Sequence, residues 1–340
     1  MSEGGGLTGL ANLGNTCFLN SCMQVLSHTP ELTTILSKPV TSKTTKKTPD
    51  AALFNEWINL QKELHCPEGK KVVIPHKFVK TVQIVARIKN NDLFTGYAQN
   101  DVSEFLIFVI DCFHNALSRE AKMTIKGTAH GSKDELAVKC YEMVKQMYSK
   151  DYSEIWSTFY GIQVSEISGP TIKKTFKPEP FFILDLPLPE VNTRTNAPTL
   201  IDCFNLFTET ESIDGYENEE TKRRETIKKR ITFWSLPTIL VIDLKRFNSR
   251  NQKKQNLVSF PLTGLDLSPY VSGYTPNKYK YDLYGVCNHS GSALGGHYTA
   301  YVKTLGSGKW HHFNDTSVSE VNERVVVSTK AYCLFYRMRQ

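Results

Sequence analysis

The hydrophobic period of this chain changes near residue 155, and that change limits the fold more than any other feature of the sequence. Before it, apolar residues recur at intervals of three and four, as in the stripe from Phe105 to Leu117, which is the period of a helix. After it, short runs rich in Val, Ile, Tyr and Phe are bordered by glycine or proline, which is typical of strands. Helices and strands therefore occupy different parts of the chain, and the sequence predicts an α+β fold.

The predicted elements follow from these two periods. Helices are expected at residues 18–26, 101–117 and 134–148. Strands are expected at residues 159–164, 181–186, 231–234, 239–244, 281–286, 298–302 and 332–336. Pro30 ends the first helical run, and Asp101 followed by Glu104 is a plausible capping pair for the second. The Ser/Thr/Lys-rich stretch 37–50 is interpreted as a solvated loop.

Composition excludes several classes of protein. Of the 340 residues, 40% are hydrophobic and 22% charged, which excludes a wholly disordered or collagen-like chain. No apolar run approaches the roughly 18 residues of a membrane span, so no membrane association is expected. The net charge of +7 is modest and spread out, and a nucleic-acid partner is not indicated.

The first residues and the cysteines indicate the compartment. Residues 1–6 read MSEGGG, which is interpreted as a flexible leader without a secretory signal. Eight cysteines without such a signal are expected to be reduced thiols rather than a disulfide framework. We therefore expect an intracellular protein, cytoplasmic, nuclear or both.

One cysteine lies where a nucleophile would be placed. Cys17 follows a Gly-Asn-Thr loop and opens an amphipathic helix, whose N-terminal N–H groups favour a thiolate. The alternative is a small buried hydrophobic residue. Asn12, in the same loop, could direct its amide at an oxyanion, although a turn residue is the plainer interpretation.

A histidine and an acid or amide follow in the second half of the chain. His297 comes after two glycines at the start of a predicted strand, and Asn314 and Asp315 follow further on. The order Cys, His, Asn/Asp is that of papain-like cysteine proteases, in which His deprotonates Cys and the third residue orients the imidazole. A structural or surface role is the alternative for each residue taken alone.

Six segments together resemble the ubiquitin-specific protease family of deubiquitinases. They are GLANLGNTCFLNSCMQVL, GYAQNDVSEFLIFVIDCF, LPTILVIDLKRF, YGVCNHSGSALGGHYTAYVK, KWHHFNDTSVSEV and AYCLFYRM. The resemblance runs from about Leu7 to about Arg337. It implies a papain-like fold in a single catalytic domain over 7–340. The helical thumb would span about 7–155 and the β-rich palm about 156–340, with β-hairpin fingers at about 160–235.

The resemblance also implies roles for the residues that chemistry singled out. Cys17 would be the nucleophile, His297 the general base and Asn314 the third triad member, while Asp315 could share the orienting role. Which of Asn314 and Asp315 dominates is left open by the sequence. Asn12 would complete the oxyanion hole.

Four further residues would line a channel for the Arg-rich, Gly-Gly-ending tail of ubiquitin. Asp101 would lie beside the tail, where an acid suits its arginines, but it is also a natural helix cap. His289 matches a family histidine near the channel, with a structural role equally open. Gly295 and Gly296 would allow the chain to approach closely.

The finger segment departs from the family pattern. Many members carry two Cys-x-x-Cys pairs that bind zinc, whereas Gly169, Ile172, Asn218 and Thr221 stand near those positions here. The sequence therefore predicts no metal and fingers that are held by packing. Basic residues are concentrated in the same region, as a solvated strand or as a surface for an acidic partner: Lys222, Arg223, Arg224, Lys228, Lys229 and Arg230.

The expected activity is thiol-dependent hydrolysis of the isopeptide or peptide bond after the C-terminal glycine of ubiquitin, through an acyl-enzyme on Cys17. Ubiquitin and ubiquitinated proteins would be the partners of a monomer without a cofactor. Two alternatives are kept, a protease for another Gly-Gly-tailed modifier and an inactive relative that only binds ubiquitin.

Overall fold

The structure is a computed structural model, and it confirms the predicted separation of a helical first part from a strand-rich second part. It describes residues 6–37, 47–66, 70–190, 197–218, 221–293 and 295–339. Residues 1–5 of the predicted leader lie outside the described residues. In the described part of the chain, no helix combines the length and apolar character needed to cross a membrane.

Most of the helices precede residue 160. They are α1 (Cys17–Ser27), α2 (Pro30–Ser37), α3 (Pro49–Leu64), α4 (His76–Ile88), α5 (Val102–Leu117), α6 (Ser132–Asp151), α7 (Glu154–Phe159) and α8 (Leu200–Phe207). The three predicted helices correspond to α1, α5 and α6, whereas the other five helices of the described residues were not predicted. The predicted loop 37–50 is too long at its C-terminal end, because Thr48 caps α3 by accepting from the Ala51 N–H and Pro49 is the first helical residue. Residues 38–46 of that loop lie outside the described residues.

The strands follow in chain order. They are β1 (Gly9–Leu10), β2 (Val72–Val73), β3 (Gly161–Ser168), β4 (Thr175–Phe181), β5 (Ile183–Pro187), β6 (Glu211–Glu217), β7 (Arg224–Ser235), β8 (Ile239–Lys245), β9 (Leu265–Asp266), β10 (Lys280–Ser292), β11 (Gly295–Lys303), β12 (Trp310–Asn314), β13 (Ser317–Val321) and β14 (Ala331–Met338). Each predicted strand overlaps an observed one. Two predicted strands cross element boundaries: Phe159 ends helix α7, and the predicted strand 181–186 covers the junction between β4 and β5. Strands β7 and β10 are also longer than the predicted 231–234 and 281–286.

The palm is a sheet in the order β13-β12-β11-β10-β14-β8-β5, with β9 paired to β10. Its pairs are antiparallel except for β5 with β8. The central strands β8, β10 and β14 are almost continuously buried, since helices and loops cover both faces. Strands β10, β11 and β12 lie side by side, so residues far apart in sequence meet at one end of the sheet.

The fingers extend the expected hairpin into a four-stranded antiparallel sheet, in the order β4-β3-β7-β6. Helix α6 packs on this sheet through Leu136, Cys140 and Val144, which contact Val164 and Trp234 in one apolar cluster. The fingers are therefore attached to the thumb by a small core of their own.

Helix α1 joins the thumb to the palm. All of its eleven residues are buried, because it lies between α5 on one side and strands β10 and β11 on the other. Val25 on this helix packs closely against Gly285 of β10, where an added Cβ would collide with the Val25 methyl groups. The N-terminus of α1 is thereby held at the edge of the palm sheet that carries the other predicted site residues.

Candidate active site

The loop before α1 is fixed by its own side chains. Asn12 Oδ1 accepts from the backbone N–H groups of Gly14 (3.0 Å) and Thr16 (3.1 Å), and Thr16 Oγ1 accepts from the Leu13 N–H (2.9 Å). Gly14 and Asn15 adopt left-handed φ values of 102° and 53°, which glycine and asparagine tolerate best. The loop therefore presents Cys17 as the first residue of α1, as the sequence predicted.

The Cys17 thiol lies against strand β11. The backbone N–H groups of Tyr298, the residue next to His297, of Phe18 and of Cys17 itself lie near the sulfur and act to lower the pKa of the thiol. Burial is the main influence and raises the pKa of Cys17, and the negative charge of Asp315 raises it further. The three N–H groups oppose this shift without cancelling it. The N–H groups at the start of the helix favour the thiolate, as expected, but desolvation outweighs them and the net shift of the Cys17 pKa is upward.

His297 and Asn314 form a hydrogen-bonded pair across neighbouring strands. His297 lies in β11, Asn314 ends β12, and His297 Nε2 is 2.7 Å from Asn314 Oδ1. Because the amide oxygen can only accept, Nε2 carries the proton of the neutral ring. The lone pair of the ring is then on Nδ1, which can take a proton from a thiol.

Asp315 has a different set of contacts. It occupies a left-handed position (φ 49°) in the two-residue turn between β12 and β13. Its Oδ2 accepts from Asn12 Nδ2 (3.0 Å), its Oδ1 accepts from Asn20 Nδ2 (2.8 Å), and its backbone oxygen accepts from the Leu10 N–H (2.9 Å). Both carboxylate oxygens thus bind the Cys17 loop and helix, whereas His297 is bound by Asn314.

The turn and the Cys17 loop are in close contact. A Cβ at Gly9 would collide with the backbone of Thr316, so only glycine allows β1 to approach the turn. This contact and the Asp315 bonds align the N-terminal loop with strand β12.

The two oxygens of the Asp101 carboxylate bind different parts of the structure. As predicted, it caps helix α5: its Oδ1 accepts from the Ser103 N–H at 2.7 Å. Its Oδ2 accepts from the Tyr332 hydroxyl (2.6 Å) and the Tyr298 hydroxyl (3.4 Å). Burial raises the pKa of Tyr332, so this phenol stays protonated and donates to Asp101. Asp101 therefore lies beside β11 and β14, close to His289.

His289 and Gly296 face each other across strands β10 and β11. His289 is 4% exposed, and its ring packs against Tyr298 with ring centroids 4.6 Å apart and the ring planes tilted by 39°. A Cβ at Gly296 would collide with His289 Nε2, so glycine is required there. At Gly295 the nearest atom to an added Cβ is Gln99 Oε1 at 3.6 Å, so the structure places no comparable demand on that position.

Two polar residues at this end of the sheet were missed in the sequence. Gln99 pairs with the backbone of Gly296 through both ends of its amide: Oε1 accepts from the Gly296 N–H (2.6 Å) and Nε2 donates to the Gly296 oxygen (2.8 Å). It lies two residues before Asp101 in the second motif, which was the available signal. Lys253 contacts His289, and no feature of its own segment pointed to the site.

The finger tips contain side-chain hydrogen bonds at the positions where the family pattern has cysteines. Gly169 N–H donates to the Ile172 oxygen, and Thr221 N–H donates to Asn218 Oδ1. The two turns are joined because Asn218 Nδ2 donates to Thr171 Oγ1 at 3.0 Å. Glu225 also accepts from the backbone and hydroxyl of Thr171. Among the described residues, no group of three or more His, Cys, Asp or Glu could hold a metal ion.

Comparisons with known proteins agree with this arrangement. The family model of the ubiquitin carboxyl-terminal hydrolases matches residues 8–336. Human ubiquitin carboxyl-terminal hydrolase 2 is 36% identical over 98% of this chain and 55% of its own length. Yeast ubiquitin carboxyl-terminal hydrolase 4 is 30% identical over 96% of this chain and 39% of its own length. The chain thus spans about half the length, or less, of these relatives.

A solved structure shares the fold over the whole chain. It is Ubp8 in the SAGA DUB module bound to monoubiquitin, with a TM-score of 0.74 and 25% identity, covering 100% of this chain and 71% of that one. A second structure of the module, bound to ubiquitin aldehyde, also gives a TM-score of 0.74, at 24% identity. The family match, the relatives and the thumb, palm and fingers agree, and the chain belongs to the ubiquitin carboxyl-terminal hydrolase family in its ubiquitin-specific protease form.

Proposed function

We propose that this chain is a cysteine-dependent deubiquitinase that hydrolyses the bond after the C-terminal glycine of ubiquitin. The observation that carries the proposal is the position of Cys17, the first residue of α1, whose thiol lies near the Tyr298 backbone N–H, next to the hydrogen-bonded pair His297–Asn314. The family match and the monoubiquitin in the Ubp8 structure support ubiquitin as the substrate.

The reaction follows from the hydrogen-bond pattern. His297 Nδ1 takes the proton of the Cys17 thiol, and the sulfur attacks the carbonyl carbon of the terminal glycine. Because burial raises the pKa of Cys17, the thiol is protonated at rest and the proton moves when substrate is in place. The imidazolium then protonates the departing amine, which leaves an acyl-enzyme. Water, deprotonated by His297, attacks the thioester and releases ubiquitin and the Cys17 thiol.

The oxyanion is assigned to two donors on the Cys17 loop. Asn12 Nδ2 has two hydrogens, of which one is bonded to Asp315, so the second can donate to the developing charge. The backbone N–H of Cys17 is the other donor. Asp315 therefore acts on the oxyanion hole through Asn12, while Asn314 orients the base.

The tail channel is assigned to the side of the sheet where Gly296, His289 and Asp101 lie together. The collision that a Cβ at Gly296 would cause leaves little free space around these residues, which suits the two terminal glycines and excludes bulkier residues. Asp101 supplies a negative charge for the basic residues of the tail.

The proposal includes the remaining expectations. The fingers are proposed to work without zinc, supported by the hydrogen bonds between Thr171, Asn218 and Glu225. All eight cysteines are free, which supports an intracellular, cytoplasmic or nuclear, location. Ubiquitinated proteins are the proposed substrates and the chain is proposed to act as a monomer.

The experiment that tests this function uses ubiquitin with a thiol-reactive group in place of its last glycine. Wild-type protein and Cys17→Ala are each incubated with the probe and weighed by mass spectrometry. One adduct on the wild type and none on the variant is expected. An adduct on Cys17→Ala contradicts the nucleophile assignment. If ubiquitin gives no adduct but a related Gly-Gly-tailed modifier does, that modifier replaces ubiquitin as the proposed substrate. If no modifier gives an adduct, the result favours the alternative of a protein that only binds ubiquitin.

A further inference from the structure

Lys253 is held in a rigid position near the proposed tail channel. It lies in the segment after β8, paired with Phe247 by an antiparallel bridge. Arg246, fully buried, anchors this segment: its Nη1 donates to the oxygens of Lys254 (3.0 Å) and Asn256 (2.9 Å). Three backbone and side-chain restraints therefore fix where the Lys253 ammonium group lies.

The ammonium group of Lys253 makes two contacts with one residue. Its Nζ is 2.9 Å from His289 Nδ1 and 2.6 Å from the His289 backbone oxygen. An ammonium group has three hydrogens and no lone pair, so it donates in both contacts. His289 Nδ1 is therefore the acceptor of the ring, and Nε2 carries the ring hydrogen.

The Nε2–H group of His289 lies against Gly296, a residue that the proposed function assigns to the tail channel. Gly296 is the neighbour of His297 in β11. No hydrogen bond among the described residues uses Nε2, although the ring is almost fully buried. The donor is thus free for an acceptor that arrives with the substrate.

We propose that Lys253 is a positioning residue that fixes the tautomer of His289, so that Nε2–H donates to a backbone carbonyl of the bound ubiquitin tail. This inference rests on the proposed function for the identity of the tail. It gives the half-buried Lys253 a role in substrate affinity, and it gives His289 a role that differs from that of the base His297.

The charges around His289 are consistent with a neutral ring. Burial, and after it the positive charge of Lys253, lowers the pKa of His289 to about 4, against the opposing effect of Asp101. Burial and the neighbouring Arg246 lower the pKa of Lys253 to about 8, so the ammonium form prevails at pH 7. The other groups packed against the ring, Tyr298 and Tyr332, are phenols whose pKa burial raises, so both are neutral.

A purely structural lysine would tie its segment to the His289 backbone oxygen without influencing the ring. The two roles differ in their response to pH. Without Lys253 the neutral ring can exchange its hydrogen between Nδ1 and Nε2, whereas the protonated ring always carries a hydrogen on Nε2. A loss of affinity caused by the tautomer should therefore shrink as the pH falls, and a loss caused by a missing tether should not.

The test compares Lys253→Met with Lys254→Met, the adjacent lysine, which pairs instead with Glu190. With a fluorogenic ubiquitin substrate, Lys253→Met should raise KM by about three- to tenfold at pH 7, where the wild-type ammonium form prevails, with kcat within about twofold; this is the loss of one hydrogen bond. The increase should diminish as the pH falls toward the pKa of His289. Lys254→Met and Lys253→Arg should stay near the wild type, and Lys253→Met should add nothing in a His289→Gln background.

Titration of labelled histidines by NMR provides a readout without substrate. The pKa of His289 should rise in Lys253→Met, because the charge that lowers it is gone. An unchanged His289 pKa, a KM equal to that of the wild type, or a KM increase independent of pH overturns the inference. Should Lys253→Met melt below the assay temperature, Lys253→Gln takes its place. A wild type inactive on ubiquitin refutes the proposed function instead, and the titration still decides the link between Lys253 and His289.

Discussion

Replacing Asp315 by Asn removes one negative charge from the turn between β12 and β13 while keeping the size of the side chain. Asparagine also tolerates the left-handed φ of 49° at this position, so the turn should be preserved. The new amide has one acceptor and one donor end, whereas the carboxylate accepts from both Asn12 and Asn20. One of these two hydrogen bonds must therefore be lost.

Burial decides which bond is lost. Asn20 is 2% exposed and its amide has only longer contacts with the oxygens of Leu10 (3.3 Å) and Ala11 (3.4 Å), so it keeps the acceptor. Asn12 is exposed and can turn to water. The free energy of unfolding should fall by about 1 kcal/mol for the lost bond. The melting temperature should fall by roughly 1–2 °C, since the entropy of unfolding scales with the 340 residues of the chain.

Activity should fall much more than stability. Removing an oxyanion donor outright costs about 100- to 1000-fold in kcat, so a misdirected Asn12 should cost about 10- to 100-fold. The assay is hydrolysis of a fluorogenic ubiquitin substrate, with KM expected to change little. Asn12→Ala and the double variant complete a mutant cycle, in which Asp315→Asn should add almost nothing once Asn12 is absent.

The same substitution should change the reactivity of the nucleophile in the opposite direction. Burial is the main reason for the raised pKa of Cys17, and the Asp315 charge adds to it, so the pKa should fall in Asp315→Asn. Alkylation of Cys17 by iodoacetamide should then extend to lower pH than in the wild type. Additive effects of Asp315→Asn and Asn12→Ala on kcat, or an alkylation profile shifted to higher pH, would refute the reasoning.

Three other substitutions test contacts around the site. Gly296→Ala should lower the free energy of unfolding by about 1–3 kcal/mol by overpacking against His289, whereas Gly295→Ala, which has space, should melt like the wild type. Gln99→Ala should lower kcat about three- to tenfold, because it removes the two hydrogen bonds that hold Gly296, the residue before His297 in β11. An unchanged kcat would contradict this role. Glu225→Gln should lower the melting temperature and leave kcat unchanged, because Glu225 accepts from Thr171 in the fingers. Chelators should change neither the melting temperature nor the kcat of the wild type. Stoichiometric zinc in metal analysis would contradict metal-free fingers.

The sequence predicted those features of the fold that depend on local patterns. The helix over 101–117 is clear because its apolar stripe and its Asp101 cap lie within seventeen residues. Strands 239–244 and 332–336 were recognised because they are apolar apart from Asp243, as expected of strands buried in the centre of a sheet. Helix α4 was missed although one of its faces is buried, since its lysines and its exposed isoleucines blur the stripe.

The site could be predicted only where chemistry and motif coincide. Cys17 and His297 were found because a helix start and a Gly-Gly-His strand are visible in the sequence. The raised pKa of Cys17 was not predicted, since it depends on the burial of the thiol between α1 and the sheet. The contact between Lys253 and His289 joins residues 36 positions apart, and that between Gln99 and Gly296 joins residues 197 apart. Such pairs become visible only when strand register is known.

The turn between β12 and β13 determines the geometry of both halves of the site. Asn314 bonds to the imidazole of His297, and the next residue, Asp315, bonds to the side chains and backbone of the Cys17 loop. Two adjacent residues with fixed backbone angles cannot move independently by much. A displacement of this turn therefore carries the base and the nucleophile loop together, so their relative position is maintained. This coupling explains why the two neighbouring polar residues have separate partners: one orients the group that takes the proton, and the other holds the donors that receive the negative charge.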